Sequence, residues 1–513
     1  MFPEISRAHK ARVCGLVLAL IGTTAAAAQI TAAAAQVAVT TWHYDNERSG
    51  ANPNETILNP GNVNSKDFGP LFTQAVDGAV VGQALYLPNV KIPKLGVHNV
   101  VYVATMNDSV YAFDADNAAG ANASPLWHTS FLINGAIPIP VKWQGCGGTT
   151  LWTEIGITST PVIDAASGTL YVVAKTYENA QYVNRLHALH VATGLEQKGS
   201  PIVIGASTFK DKMQVNRPAL LLQNGYVYIA FGSNGCRDDE EEGWVFSYNA
   251  TTLEPAGAFD DEPGESAAAV WMRGGGLSAD SSGGIYGATA DGPFAAGLNF
   301  GQSIFKLTQA EGSLLLADWF TPYNELYLDH HDLDISEPVL VLLNQAGPYP
   351  TLLAAVGKEG TIYILNPENM GHFCDTCTEI TGDTKIIQEL TAIAPYGGAL
   401  VYWNDTIYAS PTGAPIIALP LKDGVLGAKP VVQSAKVDSG HSPVISANGN
   451  TGGILWQITG SSISAFDAIK LQRIYGSGKL PSLPHFANLV VANGKVYVGT
   501  NDSLLVYGLL SGS

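Results

Sequence analysis

Between Asp329 and Leu365 the chain gathers the residue types that proton and metal chemistry need. Asp329-His330-His331-Asp332-Leu333-Asp334 sets three carboxylates and two imidazoles within six residues. LLAAVGKEGTIYILNPEN (352–369), a strand-turn-strand segment, carries Lys358 24 residues beyond Asp334. Carboxylates hold a hard cation or take a proton, and a nearby ammonium stabilises a developing oxyanion. A second reading makes His330 and His331 a copper or zinc site with Asp329 and Asp332. Because neighbouring strand residues point to opposite faces, that site requires a turn.

His331-Asp332-Leu333-Asp334, followed by Lys358-Glu359-Gly360-Thr361-Ile362-Tyr363-Ile364-Leu365-Asn366, resembles in order and spacing the quinoprotein dehydrogenases. These are propeller enzymes that use pyrroloquinoline quinone (PQQ) and a divalent or lanthanide cation. In that family a His-Asp-x-Trp-Asp run supplies the catalytic base, and a Lys or Arg opening a later strand touches the quinone oxygens. Here the run lacks its Trp. The resemblance implies Asp334 as base and Lys358 as its catalytic partner, with Lys358, His331, Trp271 and Arg273 around the cofactor. It also implies calcium or a lanthanide on Asp334, Asp238 and Asp291. Asp238 opens an acidic run after Gly232-Ser233-Asn234-Gly235-Cys236, and Asp291 stands where the family has Asn, still offering oxygen to a hard cation.

Two features depart from the family pattern. Leu277 follows Trp271-Met272-Arg273-Gly274-Gly275-Gly276, so the floor tryptophan is missing, and no two cysteines are adjacent to form a lid. The acidic run 238–242 also reads as a solvated loop, Lys358 as a surface residue, and His187 and His190 as ordinary edge residues. Two functions therefore stand side by side. One is an oxidation of alcohols or sugars; the other is a non-catalytic propeller that binds a polysaccharide, peptide or partner protein.

Positioning such residues falls to an internal repeat in which a strand, a polar turn and a second strand lead into an Asp/Asn-rich turn. Copies begin at VVYVATMNDSVYAFDADN (100–117) and recur at 169–194, 226–252, 284–309, 352–369, 400–421, 454–470 and 495–510. With 55 Gly, 28 Pro and few charged helical faces, the pattern predicts an all-β, eight-bladed propeller of four-stranded blades. Seven blades follow if the irregular sixth copy is an insertion. A ring with an open edge aggregates, and Leu71–Val76 is expected to complete the last blade. Residues 36–513 read as one propeller domain. Trp42-His43-Tyr44-Asp45-Asn46-Glu47-Arg48 and EIGITSTPVID (154–164) resemble segments of bacterial PQQ-binding-like repeat proteins.

Residues 1–35 carry Arg7, Lys10 and Arg12, an apolar run from Val13 to Ile21, and alanine-rich stretches, the pattern of a secretory signal peptide. Without residues 1–35, which hold Glu4, Arg7, Lys10 and Arg12, the 44 acids and 26 bases become 43 and 23, a net charge near −20. Such a surface argues against nucleic acid and anionic membranes as partners. No later apolar run is long enough to span a membrane, so a secreted or periplasmic protein is expected. Four cysteines remain: Cys374 and Cys377 suit a small disulfide loop, while Cys146 and Cys236 are left open. Thr378 follows Cys377 where a c-type haem needs His, so no haem is expected and electrons would pass to a separate acceptor.

Overall fold

The computed structural model describes residues 36–143, 152–232, 242–264, 269–391, 393–438 and 442–510. The expected signal peptide, Cys146, Cys236 and Asp238 lie outside the described residues. Eight antiparallel sheets, blades 1 to 8, span 85–130, 162–203, 221–260, 278–321, 340–390, 401–436, 444–476 and 489–509. Each sequence repeat falls on the second and third strands of one blade. The irregular sixth copy also takes in the first strand of a full blade, Val401–Trp403, so the count is eight. Helix is confined to Glu325–His330 and three short 3-10 turns among the described residues.

Blade 8 closes the ring, because Phe68–Ala75 pairs antiparallel with Ser503–Leu509 as its outer strand. The predicted closing segment is thus present and begins a few residues earlier. Each of the eight blade junctions has its own apolar cluster. A repeated tyrosine on the second strand pins several of them. Tyr102 donates to Val191 O, Tyr171 to Ala250 O and Tyr408 to Ala468 O, at 3.1, 2.7 and 3.1 Å, in each case reaching the next blade. Burying a phenol needs such a partner, and the next blade's turn supplies one.

Along the channel, the inner strands present backbone groups that must find partners. The N-terminal segment 39–55 supplies them in a circuit of the ring. Val39 and Tyr86 exchange two bonds of 2.8 Å on blade 1, and Thr40 O accepts from Ile163 N on blade 2. Asn46 donates to Leu222 O on blade 3 and accepts from Ala279 N on blade 4. Glu47, Ser49 and Gly50 carbonyls then take Val341 N, Tyr402 N and Ile445 N of blades 5, 6 and 7. Ala51–Asn52 adds a short parallel strand to blade 7, and Asn52 donates to Val491 O of blade 8.

Buried Arg48 fixes the centre of this clasp, donating to Leu277 O, Thr41 Oγ1, Trp42 O, Asp45 O and Leu220 O. Its replacement by Met takes the guanidinium from all five acceptors. Arg48→Met should cost on the order of 3 kcal/mol, read as a lower urea midpoint. Removing everything before residue 77 takes away both clasp and closing strand; that protein should aggregate, and a soluble product with the parent melting curve would refute ring closure by residues 68–75.

Candidate functional site

At one end of the channel, the segments that lead into the inner strands converge. Asp334 and Glu337 precede blade 5, Trp271 and Arg273 precede blade 4, Arg217 precedes blade 3, Trp152 precedes blade 2, and His485 and Phe486 precede blade 8. Turns of blades 4 and 5 add Asp291, Gln302 and Lys358. Within the strand-turn-strand segment 352–369, Lys358 belongs to the turn. It sits in the turn after Leu352–Val356, the second strand of blade 5, and its backbone N–H bonds Asp334 O at 2.8 Å.

The acidic half is compact. Asp291, Asp332 and Asp334 each aim an oxygen so that the three lie within 4.8 Å of one another, the one such ligand group among the described residues. Lys358 Nζ bridges Asp334 at 2.5 Å and Asp332 at 2.6 Å. Gln302 Nε2 donates to Asp291 Oδ1 and Asp334 Oδ1, both at 3.2 Å, while its own Oε1 accepts from Ile335 N. Burial pushes the Asp334 carboxyl up, but hydrogen bonding with Asp291 and the charge of Lys358 outweigh it, leaving the carboxyl below its ordinary range. For Lys358 burial works against the ammonium, and Asp334 and Asp332 outweigh it, so the group stays charged. Gln302 and Asp332 hold left-handed backbones, at φ +50° and +55°, a conformation that persists where surroundings enforce it and that clusters at functional sites.

Across the funnel lies a cationic and aromatic half. Arg273 Nε meets the fully buried Glu337 at 2.7 Å. Arg217 donates to Thr158 O and to Arg273 O, and stands 4.9 Å from the Phe486 ring centre, with Arg273 at 5.9 Å from the same ring. Trp152 lies 6.1 Å from Trp271 and 6.4 Å from Phe486. Arg217 Nε and Trp152 Nε1 are buried donors without a hydrogen-bond partner. Beside this half opens a cavity of about 860 Å³ lined by Trp152, Glu154, His485 and Asp77 among others. Beneath it sits Trp42, the top of the clasp. Cβ atoms at Gly274 and Gly275 would strike the Arg217 guanidinium and the Trp42 ring in turn, which puts the indole just deeper than the arginines.

Of the site residues read from sequence, Asp334, Lys358, Asp291, Trp271 and Arg273 come together in the funnel. His331 does not. It follows the short helix and packs on Tyr327, four residues back, with Nδ1 2.8 Å from Tyr327 O. Asp332 takes the place beside Lys358 instead. A His330/His331 metal site is likewise not formed, and Asp329 accepts from Gly292 N. His187 pairs with Glu196 and His190 with Gln197. Cys374 and Cys377 form the loop disulfide. Sequence reading missed Gln302, Glu337, Arg217, Trp152 and Phe486. Only Arg217, a cation directly before the Pro218 that leads into a strand, carried a signal.

Solved structures place this architecture. A quinohemoprotein alcohol dehydrogenase from Comamonas testosteroni superposes with a TM-score of 0.64 at 13% identity, over 94% of this chain and 82% of that one. A europium-containing methanol dehydrogenase gives 0.60 at 12%, over 92% and 98%. The fold is that of the quinoprotein dehydrogenases. A second quinohemoprotein alcohol dehydrogenase, ADHIIG from Pseudomonas putida HK5, gives 0.61 at 12%, over 92% and 80%. No protein-family model and no curated protein matches this chain by sequence.

Glu337 offers a test of the site's electrostatics. Burial pushes its carboxyl up to about 7 although Arg273 pulls it down, whereas the unfolded group ionises near 4.5. Between those values the folded state keeps a proton that the unfolded state has lost, so this group's contribution to stability falls as pH rises from about 4.5 to about 7. Glu337→Gln cannot ionise and should gain on the parent across that window. Urea midpoints at pH 5 and pH 8 read the gain, and a difference that does not change with pH would exclude it.

Proposed function

We propose that this quinoprotein-like propeller is a secreted or periplasmic PQQ- and metal-dependent dehydrogenase of alcohols or sugars. The reading rests on one observation: Asp334 and Lys358, far apart from the arginines in sequence, share a funnel with two guanidiniums and three indole or phenyl rings. The donor set suits both groups. Three converging carboxylates match the hard-oxygen preference of calcium or a lanthanide. Buried Arg217 Nε and Trp152 Nε1, two donors without partners beside flat rings, match a planar polycarboxylate. Bound there, the quinone supplies the two-electron oxidising power that no side chain has.

The chain's own residues do the rest. Asp334, ionised by the charges that converge on it, accepts the proton of a substrate hydroxyl. Asp291 and Asp332 hold the cation beside it. Lys358 stabilises negative charge developing on a nearby oxygen, and Arg217 and Arg273 orient carboxylates. Residues 1–35 direct export and are removed. A separate carrier takes the electrons. Among the described residues no helix is long and apolar enough to cross a membrane.

Purified protein given PQQ with Ca²⁺ or La³⁺ should show a bound-quinone absorbance band and reduce an artificial dye when an alcohol or sugar is added. Asp334→Asn and Lys358→Ala should each keep the parent's β-sheet signal and lose dye reduction by roughly 100-fold or more. If the parent binds neither quinone nor metal, the dehydrogenase reading falls and a ligand-binding propeller remains.

A further inference from the structure

Lys358 stands where a bound cation would be expected to stand. Its Nζ lies 2.5 Å from Asp334 and 2.6 Å from Asp332, two of the three acids whose oxygens converge. Gln302 holds Asp334 and the third acid, Asp291, from the other side. An ion of charge +2 or +3 coordinated by these oxygens at metal–oxygen distances would sit against the ammonium. In a partly buried site such like-charge contact is strongly unfavourable.

We infer that Lys358 is the resident counter-ion of this cluster and that the Lys358 ammonium and a metal ion occupy it in turn, each excluding the other. The inference rests on the metal-dependent reading above and adds its regulation. With no ion bound, Lys358 neutralises Asp332 and Asp334 and keeps the three carboxylates from repelling one another apart. When an ion arrives, Nζ leaves the acids and turns into the funnel. Loading the metal thus also moves the ammonium towards the place where an oxyanion would develop. An ion must displace a covalently tethered competitor, so the affinity for any cation is lowered by the cost of releasing Lys358.

The competition reverses the usual expectation for a mutation in a metal site. Removing the positive charge should strengthen cation binding. Tb³⁺ alone, without quinone, titrated calorimetrically into the full mature chain should bind Lys358→Met about tenfold or more tightly than the parent. Lys358→Arg, which keeps the charge, should stay within a few-fold of the parent. Asp334→Asn identifies the site by abolishing this binding. A second measurement does not depend on how any variant folds: reductive methylation of the parent, followed by mass spectrometry of the Lys358 peptide, should proceed faster with Tb³⁺ present than without it.

Equal or weaker Tb³⁺ binding by Lys358→Met, with an Asp334-dependent site in the parent, would overturn the exclusion and leave the dehydrogenase reading standing. So would a Lys358 methylation rate that Tb³⁺ leaves unchanged or lowers. No Asp334-dependent Tb³⁺ binding in either the parent or Lys358→Met would overturn both.

Discussion

The clasp formed by residues 39–55 is the interaction on which the rest of the molecule depends. Eight sheets arranged in a ring leave eight inner strands with edges turned to the axis, and each has backbone groups that water in a narrow channel serves poorly. One segment answers all eight, passing from blade 1 to blade 8 in blade order. The strand that seals the ring, Phe68–Ala75, follows in the same stretch of chain. Axial filling and outer closure are thus two consequences of one N-terminal region. The backbone of the clasp accepts strain to do this: His43, Tyr44 and Arg48 all have φ between +55° and +74°. Such conformations persist only when enough contacts fix them, and Arg48 with its five acceptors provides many of those contacts.

Above the clasp, the site is assembled from loops rather than from sheet. Five blades send residues into the funnel, four each from blades 4 and 5, and left-handed backbones at Gln302, Asp332, Met272 and Arg273 aim several of them. A site divided among so many segments is rigid only if the blades cannot rotate against one another. The tyrosine bonds between neighbouring blades and the clasp through the centre enforce that from outside and inside. Charge is distributed unevenly across the opening. Blades 4 and 5 carry the acids and their lysine; blades 2, 3 and 8, with Trp271 and Arg273 of blade 4, bring the rings and the guanidiniums.

Much of this was legible in the sequence because strand repeats are local. The second and third strands of each blade form a hairpin with a polar turn, and a tyrosine that recurs at the same place in VVYVAT, TLYVVA and KVYVGT marks the second strand. Asp334 and Lys358 were found by spacing, since both lie within one blade and the turn before it. What failed to show was long-range. Arg217, Gln302, Glu337, Trp152 and Phe486 sit in stretches with no motif and meet only when the ring closes. His331 was misplaced because a helical turn, invisible in a run of charged residues, rotates it onto Tyr327 while bringing Asp332 round to Lys358. Trp42 to Arg48 stood out as a distinctive segment, yet nothing local says that it threads an axis.

Beneath the cationic half the channel is filled by a buried indole, Trp42. Arg217, Arg273, Gly397 and Phe486 form one layer at the mouth of the channel: Gly397 lies against Arg273 and Phe486 faces both arginines. Two residues further along the same four segments come Ala219, Gly275, Ala399 and Asn488. These surround Trp42, with Ala219 and Ala399 packed on it, Gly275 too close for a side chain, and Asn488 accepting from its Nε1 at 3.5 Å. The same two-residue step recurs in four blades and sets the indole one layer beneath the arginines. An aromatic plate under the cationic layer is therefore supplied by the clasp and not by a blade. The segment that satisfies the inner strands also determines what lies at the bottom of the funnel, so the stability of the ring and the shape of its site cannot be altered independently at Trp42.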